Sequence, residues 1–201
     1  MKKYELTDIT IEQSGVTLYR IRAVRAIKAF GVKKGDLGGY VEKGENLSQS
    51  GAAWISGNAS VSGDARVCGD ASVYGNARVY GDASVSGDAS VYGNARVSGN
   101  ARVSGNARVC GDASVSGNAR VYGNASVSDD ADIIWCSKIG SRLDTTTAFI
   151  EKDGGVKIVC GCFCGMLNEF ERKVEETHGD NIYGKEYKAF IELIKIHFGK
   201  V

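Results

Sequence analysis

The chain has 201 residues, 43% of them hydrophobic and 24% charged, which is typical of a folded, water-soluble protein rather than a disordered one. Its formal net charge of +1 disfavours a nucleic-acid partner, because phosphate neutralisation needs a larger basic field. We find no signal-peptide pattern and no apolar run long enough to cross a bilayer, which predicts a cytoplasmic protein without membrane contact. Its six cysteines are then expected to be free thiols.

The first 40 residues predict an N-terminal hairpin cap. Alternating apolar residues from residue 4 onward are interrupted near Gln13, Ser14 and Gly15, which favours a turn there. Such a cap would cover strand edges of whatever follows. Arg20, Arg22 and Arg25 give it a basic stripe, either as solvated edge charges or as a site that holds an anion.

A six-residue repeat dominates the middle of the chain. Residues 56–127 divide into twelve hexads such as SGNASV and YGNARV, and each ends in Val with Ala two positions earlier. A period of six fits the two-residue period of a strand and not the 3.6 of a helix, so these Ala and Val side chains are expected to form a core. The Gly followed by Asn or Asp in each hexad is typical of a tight corner.

These hexads resemble those of left-handed parallel β-helices, in which three hexads form one triangular coil. The resemblance implies four complete coils in residues 56–127. A degenerate coil precedes them, because Val41, Leu47, Ala53 and Ile55 keep the same phase. We therefore predict a mainly β protein with a left-handed parallel β-helix over residues 41–132.

Stacking at 18 residues defines three outward faces. The first carries Ser60, Arg78, Arg96 and Ser114; the second carries Arg66, Ser84, Arg102 and Arg120; the third carries Ser72, Ser90, Arg108 and Ser126. The third face also aligns Tyr74, Tyr92 and Cys110 and is the least charged. Many hexapeptide proteins are trimers, so these three residues are our candidate homotrimer interface, with simple coating of an exposed sheet as the alternative. The arginine columns are equally compatible with a solvated surface.

The repeats lack the features of the enzymes best known for this fold. Acyl transfer from coenzyme A, as such proteins carry it out, uses a histidine base and often a loop insertion, and the hexads contain neither. The two histidines, His178 and His197, lie far downstream. We therefore predict no enzyme, no catalytic residue and no cofactor.

Residues 133–201 predict a small C-terminal α+β domain. A hairpin is expected with its turn at Asp153, Gly154 and Gly155, followed by amphipathic helices at residues 166–177 and 185–197. Three cysteines in CGCFCG, Cys160, Cys162 and Cys164, would face one way on a single strand, but their spacing is a poor match to a zinc site, so no metal is predicted.

Two polar segments of this domain are candidate ligand sites. The run SRLDTTT contains a guanidinium and three threonine hydroxyls that could bind a phosphate, and the loop THGDN contains an imidazole, a carboxylate and an amide. Half-buried strand threonines and a helix cap are the respective structural alternatives. The candidate residues are Arg142, Thr145, Thr146, Thr147, His178, Asp180 and Asn181.

The whole chain resembles phage and prophage hexapeptide-repeat proteins. KKGDLGG at residues 33–39, GSRLDTTT at 140–147, CGCF at 160–163 and HGDNIYGKEY at 178–187 carry the resemblance. It implies a phage-encoded accessory protein in the cytoplasm of an infected or lysogenic bacterium, and it brings no established reaction.

Three functions follow as hypotheses. The first is a non-enzymatic counter-defence protein that sequesters a small anionic nucleotide-type signal at subunit or domain junctions, since a rigid oligomer binds without a large ordering cost. The second is an inhibitor or adaptor that binds a host defence protein through its C-terminal domain. The third is a structural assembly component.

Overall fold

The computed structural model describes residues 2–200 and consists of a parallel β-solenoid between two different ends. Strands β1 (Tyr4–Gln13) and β2 (Val16–Ala23) form the predicted antiparallel hairpin, with Ser14 and Gly15 in its turn. Strand β3 (Leu37–Val41) pairs antiparallel with β2 and parallel with the first full coil. The hairpin thereby extends one sheet of the solenoid.

Thirteen two-residue strands build the solenoid walls. In chain order, β4 to β16 are Trp54–Ile55, Ser60–Val61, Arg66–Val67, Ser72–Val73, Arg78–Val79, Ser84–Val85, Ser90–Val91, Arg96–Val97, Arg102–Val103, Arg108–Val109, Ser114–Val115, Arg120–Val121 and Ser126–Val127. The third face stacks five strands in the order β16-β13-β10-β7-β4, so the solenoid has about five coils. The mainly β, parallel-helix prediction is confirmed, while left-handedness stays a prediction.

The 18-residue register of the three faces is also confirmed. On the first face Arg78 pairs with Ser60 on one side and with Arg96 on the other, and on the second face Arg102 pairs with Arg120. The degenerate coil exists, because Leu47 bridges to Val67 one coil above it.

The inward Ala and Val side chains fill the solenoid so completely that they are inaccessible to solvent. At the corners, glycines take left-handed φ; a Cβ on Gly87 (φ +65°) would lie 3.0 Å from the backbone nitrogen of Gly105. Side-chain ladders join several corners, as from Asn94 to Asp112 at 3.0 Å. The same inward Ala and Val in every hexad therefore determine how the strands stack, and the glycine of each hexad determines the tight corner between strands.

Both ends of the solenoid are covered. Tyr4 and Ile21 of the hairpin belong to the same buried cluster as the repeat core, and so do Ile133, Phe149 and Val159 at the other end. Two short 3-10 helices, Lys28–Phe30 and Gly44–Asn46, precede the first two-residue strand of the solenoid, and a third, Asp130–Asp132, follows the last. The covers remove the exposed strand edges that an open solenoid would present.

The C-terminal region contains more strand than the predicted hairpin. Its antiparallel sheet has four strands, and two helices pack beside it. These are β17 (Ile133–Ile139), β18 (Asp144–Ile150), β19 (Val156–Cys160), β20 (Phe163–Met166), α1 (Leu167–His178) and α2 (Ile182–His197). Helix α2 begins three residues before the predicted Lys185, because the Asn181 side chain accepts a hydrogen bond from Gly184 and caps it. No helix within residues 2–200 is both long and apolar enough to cross a membrane.

Candidate functional site

The strongest candidate site is a cleft between the C-terminal sheet and its helices, which we call the C-terminal cleft. It has a volume of about 220 Å³. The segments that line it come from three distant stretches of sequence, GSRLDTTT, CGCF and the region around HGDN and YGKEY. Its lining includes Arg142, Asp144, Cys160, Phe163, His178 and Tyr187. Of the predicted ligand residues, the structure therefore brings together Arg142 and His178.

A glycine joins two of these segments. The Gly140 N–H donates to the Glu186 carboxylate at 2.7 Å. A Cβ on Gly140 (φ +69°) would lie 2.0 Å from the Tyr187 hydroxyl oxygen, so the tyrosine occupies the space that a side chain would need. The start of GSRLDTTT and helix α2 consequently determine each other's position.

Tyr187 lines the cleft and is only 6% exposed. The Cys160 thiol donates to its hydroxyl oxygen at 3.6 Å. Burial, followed by that thiol contact, raises the pKa of Tyr187 above its ordinary value, so the phenol is neutral near pH 7. Tyr187 is the last residue of the HGDNIYGKEY motif, and its place in that motif is the sequence signal that points to a role in the cleft.

Arg142 and His178 lie at the rim. The Arg142 side chain is exposed, and its guanidinium contacts the Cys162 sulfur at 3.7 Å. His178 is the last residue of α1, and its ring lies 5.6 Å from that of Tyr187. Within residues 2–200 no carboxylate is within ion-pair distance of Arg142; Asp144 instead pairs with Arg120 at 3.6 Å. The rim therefore has, beside aromatic rings, a guanidinium without a direct salt-bridge partner among these residues, and the Asp144 carboxylate lies in the same lining.

The three predicted threonines do not line the cleft. All are buried on β18. The Thr147 hydroxyl accepts from the Arg120 N–H at 3.1 Å, Thr146 donates to the Cys160 sulfur at 3.1 Å, and Thr145 shares a 2.8 Å hydrogen bond with Ser137. Thr147 thus joins the sheet to the solenoid, whereas Thr145 and Thr146 make contacts within the sheet.

Asp180 and Asn181 also have local roles. Asp180 forms an ion pair with Lys188 at 2.9 Å, which lowers the pKa of its carboxyl. Asn181 is the N-cap of α2. Neither residue lines the C-terminal cleft.

The basic stripe of the hairpin lies at the opposite end of the solenoid from the cleft. Arg20 donates to the Gly38 carbonyl at 3.1 Å and lies over the Tyr40 ring, and Arg22 pairs with Glu5 at 2.7 Å. Arg25 is exposed. The predicted ligand residues therefore do not form one site.

The cysteine triplet does not share one side of a strand, so that expectation is wrong. Cys160 ends β19, Cys162 lies in the tight turn, and Cys164 is in β20, where it pairs with Val159. Across residues 2–200 no group of three or more metal-ligating side chains occurs.

The fold defines a β-solenoid repeat protein. Its repeats match the family model described as YdcK Beta solenoid repeat, at residues 71–87, 89–105, 95–111, 101–117 and 113–129. The C-terminal cleft lies outside these matched segments. A comparison with curated proteins gives no significant match.

Proposed function

We propose that this protein is a non-enzymatic binding protein, encoded by a phage, that sequesters a small anionic nucleotide-type signal in the cytoplasm as a counter-defence. The observation that carries the proposal is the presence, in one cleft, of the Arg142 guanidinium, which has no direct salt-bridge partner among the described residues, with the rings of Phe163, His178 and Tyr187. Arginine binds phosphate through charge-assisted, bidentate hydrogen bonds, and aromatic faces stack on bases.

The size of the cleft limits what it can hold. Its volume of about 220 Å³ is below the roughly 300 Å³ at which pockets for drug-sized ligands begin. The cleft therefore receives one end of a nucleotide, and the remainder extends over the surface or towards a neighbouring subunit. This size agrees with a ligand held at a junction.

The contacts of the cleft support binding rather than catalysis. Among the described residues the Cys160 sulfur contacts Thr146 and Tyr187 and makes no hydrogen bond with the His178 ring, although His178 lines the same cleft, so no nucleophile is paired there with a general base. A cation with aromatic neighbours is sufficient for stoichiometric capture.

Native mass spectrometry with a panel of cyclic and ADP-ribose-derived nucleotides tests this proposal. We expect discrete nucleotide mass increments on the wild-type protein. Arg142→Ala should weaken binding in the C-terminal cleft at least tenfold, because a charge-assisted hydrogen bond contributes about 1.5–3 kcal/mol. Arg172→Ala, which removes an exposed arginine of α1 outside the cleft, is the matched control and should bind like the wild type. Equal binding by both variants would show that the cleft is not the site.

A specific observation favours a second candidate, an adaptor for a host protein. Helix α2 exposes Ile182, Leu193 and Ile196 at 64%, 49% and 66%, and their spacing places them on one side of the helix. Exposed apolar stripes of this kind are typical of helix-mediated recognition. If no nucleotide binds, a host protein captured by the wild type and lost in Leu193→Asp with Ile196→Asp would support this alternative.

A further inference from the structure

A larger groove lies at the other end of the molecule, between the hairpin tip and the first face of the solenoid. We call it the first-face groove. Its volume is about 540 Å³, within the range of roughly 300–1,000 Å³ that is usual for small-ligand sites. Arg78, Arg96 and Tyr80 project into it from the solenoid, and Gln13 and Ser14 approach from the hairpin.

The hairpin contact gives the groove a defined wall. The Gln13 amide donates to the Ser60 hydroxyl at 3.1 Å, one coil below Arg78. The tip of the hairpin is therefore fixed over the solenoid face by a contact between residues 47 positions apart in sequence.

The charges of the groove are unbalanced. Arg78 and Arg96 are register partners on adjacent strands, an arrangement in which like charges repel. The solenoid has a second such pair, Arg102 with Arg120, and there Asp144 lies 3.6 Å from Arg120. Within residues 2–200 no carboxylate lies within ion-pair distance of either Arg78 or Arg96. An anion would supply the missing partner.

The remaining polar groups of the groove are compatible with this occupant. Glu42 also lines the groove; its carboxylate is held by a hydrogen bond from the Gly63 N–H at 2.6 Å and keeps its negative charge, so Arg78, Arg96 and Glu42 together carry a net positive charge. Tyr80 is 41% exposed and presents its ring on the adjacent outward column of the first face. Two guanidiniums beside one accessible ring match a phosphate joined to an aromatic base.

We propose that the first-face groove is a second binding site, which takes a nucleoside phosphate with its phosphate on Arg78 and Arg96 and its base against Tyr80. Two arginines beside an exposed tyrosine favour a ligand in which a phosphate is joined to an aromatic base. This argument does not depend on the C-terminal cleft. The inference rests on the proposed function only in that both sites would serve capture of the same ligand class.

Serine substitution tests the phosphate contact without disturbing the solenoid, because Ser60 and Ser114 occupy the same column. Binding of AMP and of pyrophosphate would be measured by isothermal titration calorimetry. We expect Arg78→Ser with Arg96→Ser to weaken both probes at least tenfold. The matched control, Arg66→Ser with Arg102→Ser on the second face, should leave both affinities within twofold of the wild type.

Two further variants separate the base contact and the two sites. Tyr80→Ser should weaken AMP about tenfold and leave pyrophosphate unchanged. Arg142→Ala should retain binding in the groove even if the C-terminal cleft loses its ligand, so the failure of one site does not decide the other. Failure of the wild type to bind either probe at millimolar concentration would overturn the inference, and so would equal losses in the first-face variant and its second-face control.

Discussion

The solenoid and the C-terminal region use polar residues in opposite ways. On the solenoid, the core is the same buried Ala and Val pair in every hexad, and outward residues such as Arg78 and Arg102 alternate with serine without a change in backbone. In the C-terminal region, Thr147, Gly140 and Glu186 contact residues from other elements. The solenoid is therefore a rigid support whose surface can vary, whereas the C-terminal cleft exists only if several distant segments pack together.

The largest expected effect comes from breaking that packing at Gly140. Gly140→Ala combines a positive φ with a Cβ that would overlap Tyr187, and should lower the free energy of unfolding by about 3 kcal/mol or more. Gly154→Ala is the matched control, because it has a similar φ (+82°) and no atom within 4 Å of the added Cβ. It should cost only about 1–2 kcal/mol. Urea denaturation measures both values, and equal losses would mean that the contact with Tyr187 does not position the cleft.

The next effect concerns a charge buried at the solenoid's N-terminal end. The Lys3 ammonium is inaccessible to solvent and donates to the Ala53 carbonyl at 2.7 Å. Burial and the nearby charge of Arg25, partly opposed by Asp70, lower the pKa of Lys3 to about 8. The unfolded chain, with a lysine pKa of about 10.4, then binds more protons between these pH values, so stability rises with pH across that window.

Between pH 7.5 and 9.5 this rise should reach about 2 kcal/mol. Above pH 10 it should reverse, because burial raises the pKa of Tyr4 to about 12 and the unfolded tyrosine ionises first. Denaturation at several pH values measures the slope. Lys3→Met should abolish the contribution, while Lys28→Met, which removes an exposed lysine, should retain it. A slope unchanged by Lys3→Met would contradict the assignment.

The same contrast explains what could be predicted from the sequence. The solenoid depends on a local rule repeated every six residues, so its coils, its faces and even the pairing of Arg96 with Arg78 followed from that spacing together with the three-hexad coil that the resemblance to left-handed β-helices implies. The strands at residues 133–139 and 163–166 were missed, because neither shows a clear alternation and CGCF spans a turn rather than one strand. Arg142 and His178 were identified as candidates by residue type. Their placement in one cleft with Tyr187 depends on long-range packing that no local pattern encodes.

The third prediction tests whether a solenoid face can carry an interface. The Tyr74 and Tyr92 rings stack with centroids 4.8 Å apart and planes 3° from parallel. Tyr74→Ser should cost about 1 kcal/mol of stability within the chain. If the third face also forms the predicted homotrimer, Tyr74→Ser with Tyr92→Ser should shift the assembly towards monomer in analytical ultracentrifugation. Tyr80→Ser, which changes a similarly exposed tyrosine on the first face, should not; a wild-type monomer would refute the trimer outright.

We expect the smallest change in stability at Arg96. This change measures directly how freely the solenoid surface can vary. Its guanidinium faces the like charge of Arg78 one coil away, so Arg96→Ser should raise the free energy of unfolding by about 0.2–1 kcal/mol in low salt. The gain should shrink as salt screens the repulsion. Arg66→Ser is the control, because its partner on the next coil is Ser84. A salt-dependent gain only at Arg96 would mean that two arginines are kept together at a cost in stability, as expected of a site for an anion. Equal, salt-independent effects at both positions would mean that the arginines of the first face are ordinary solvated side chains.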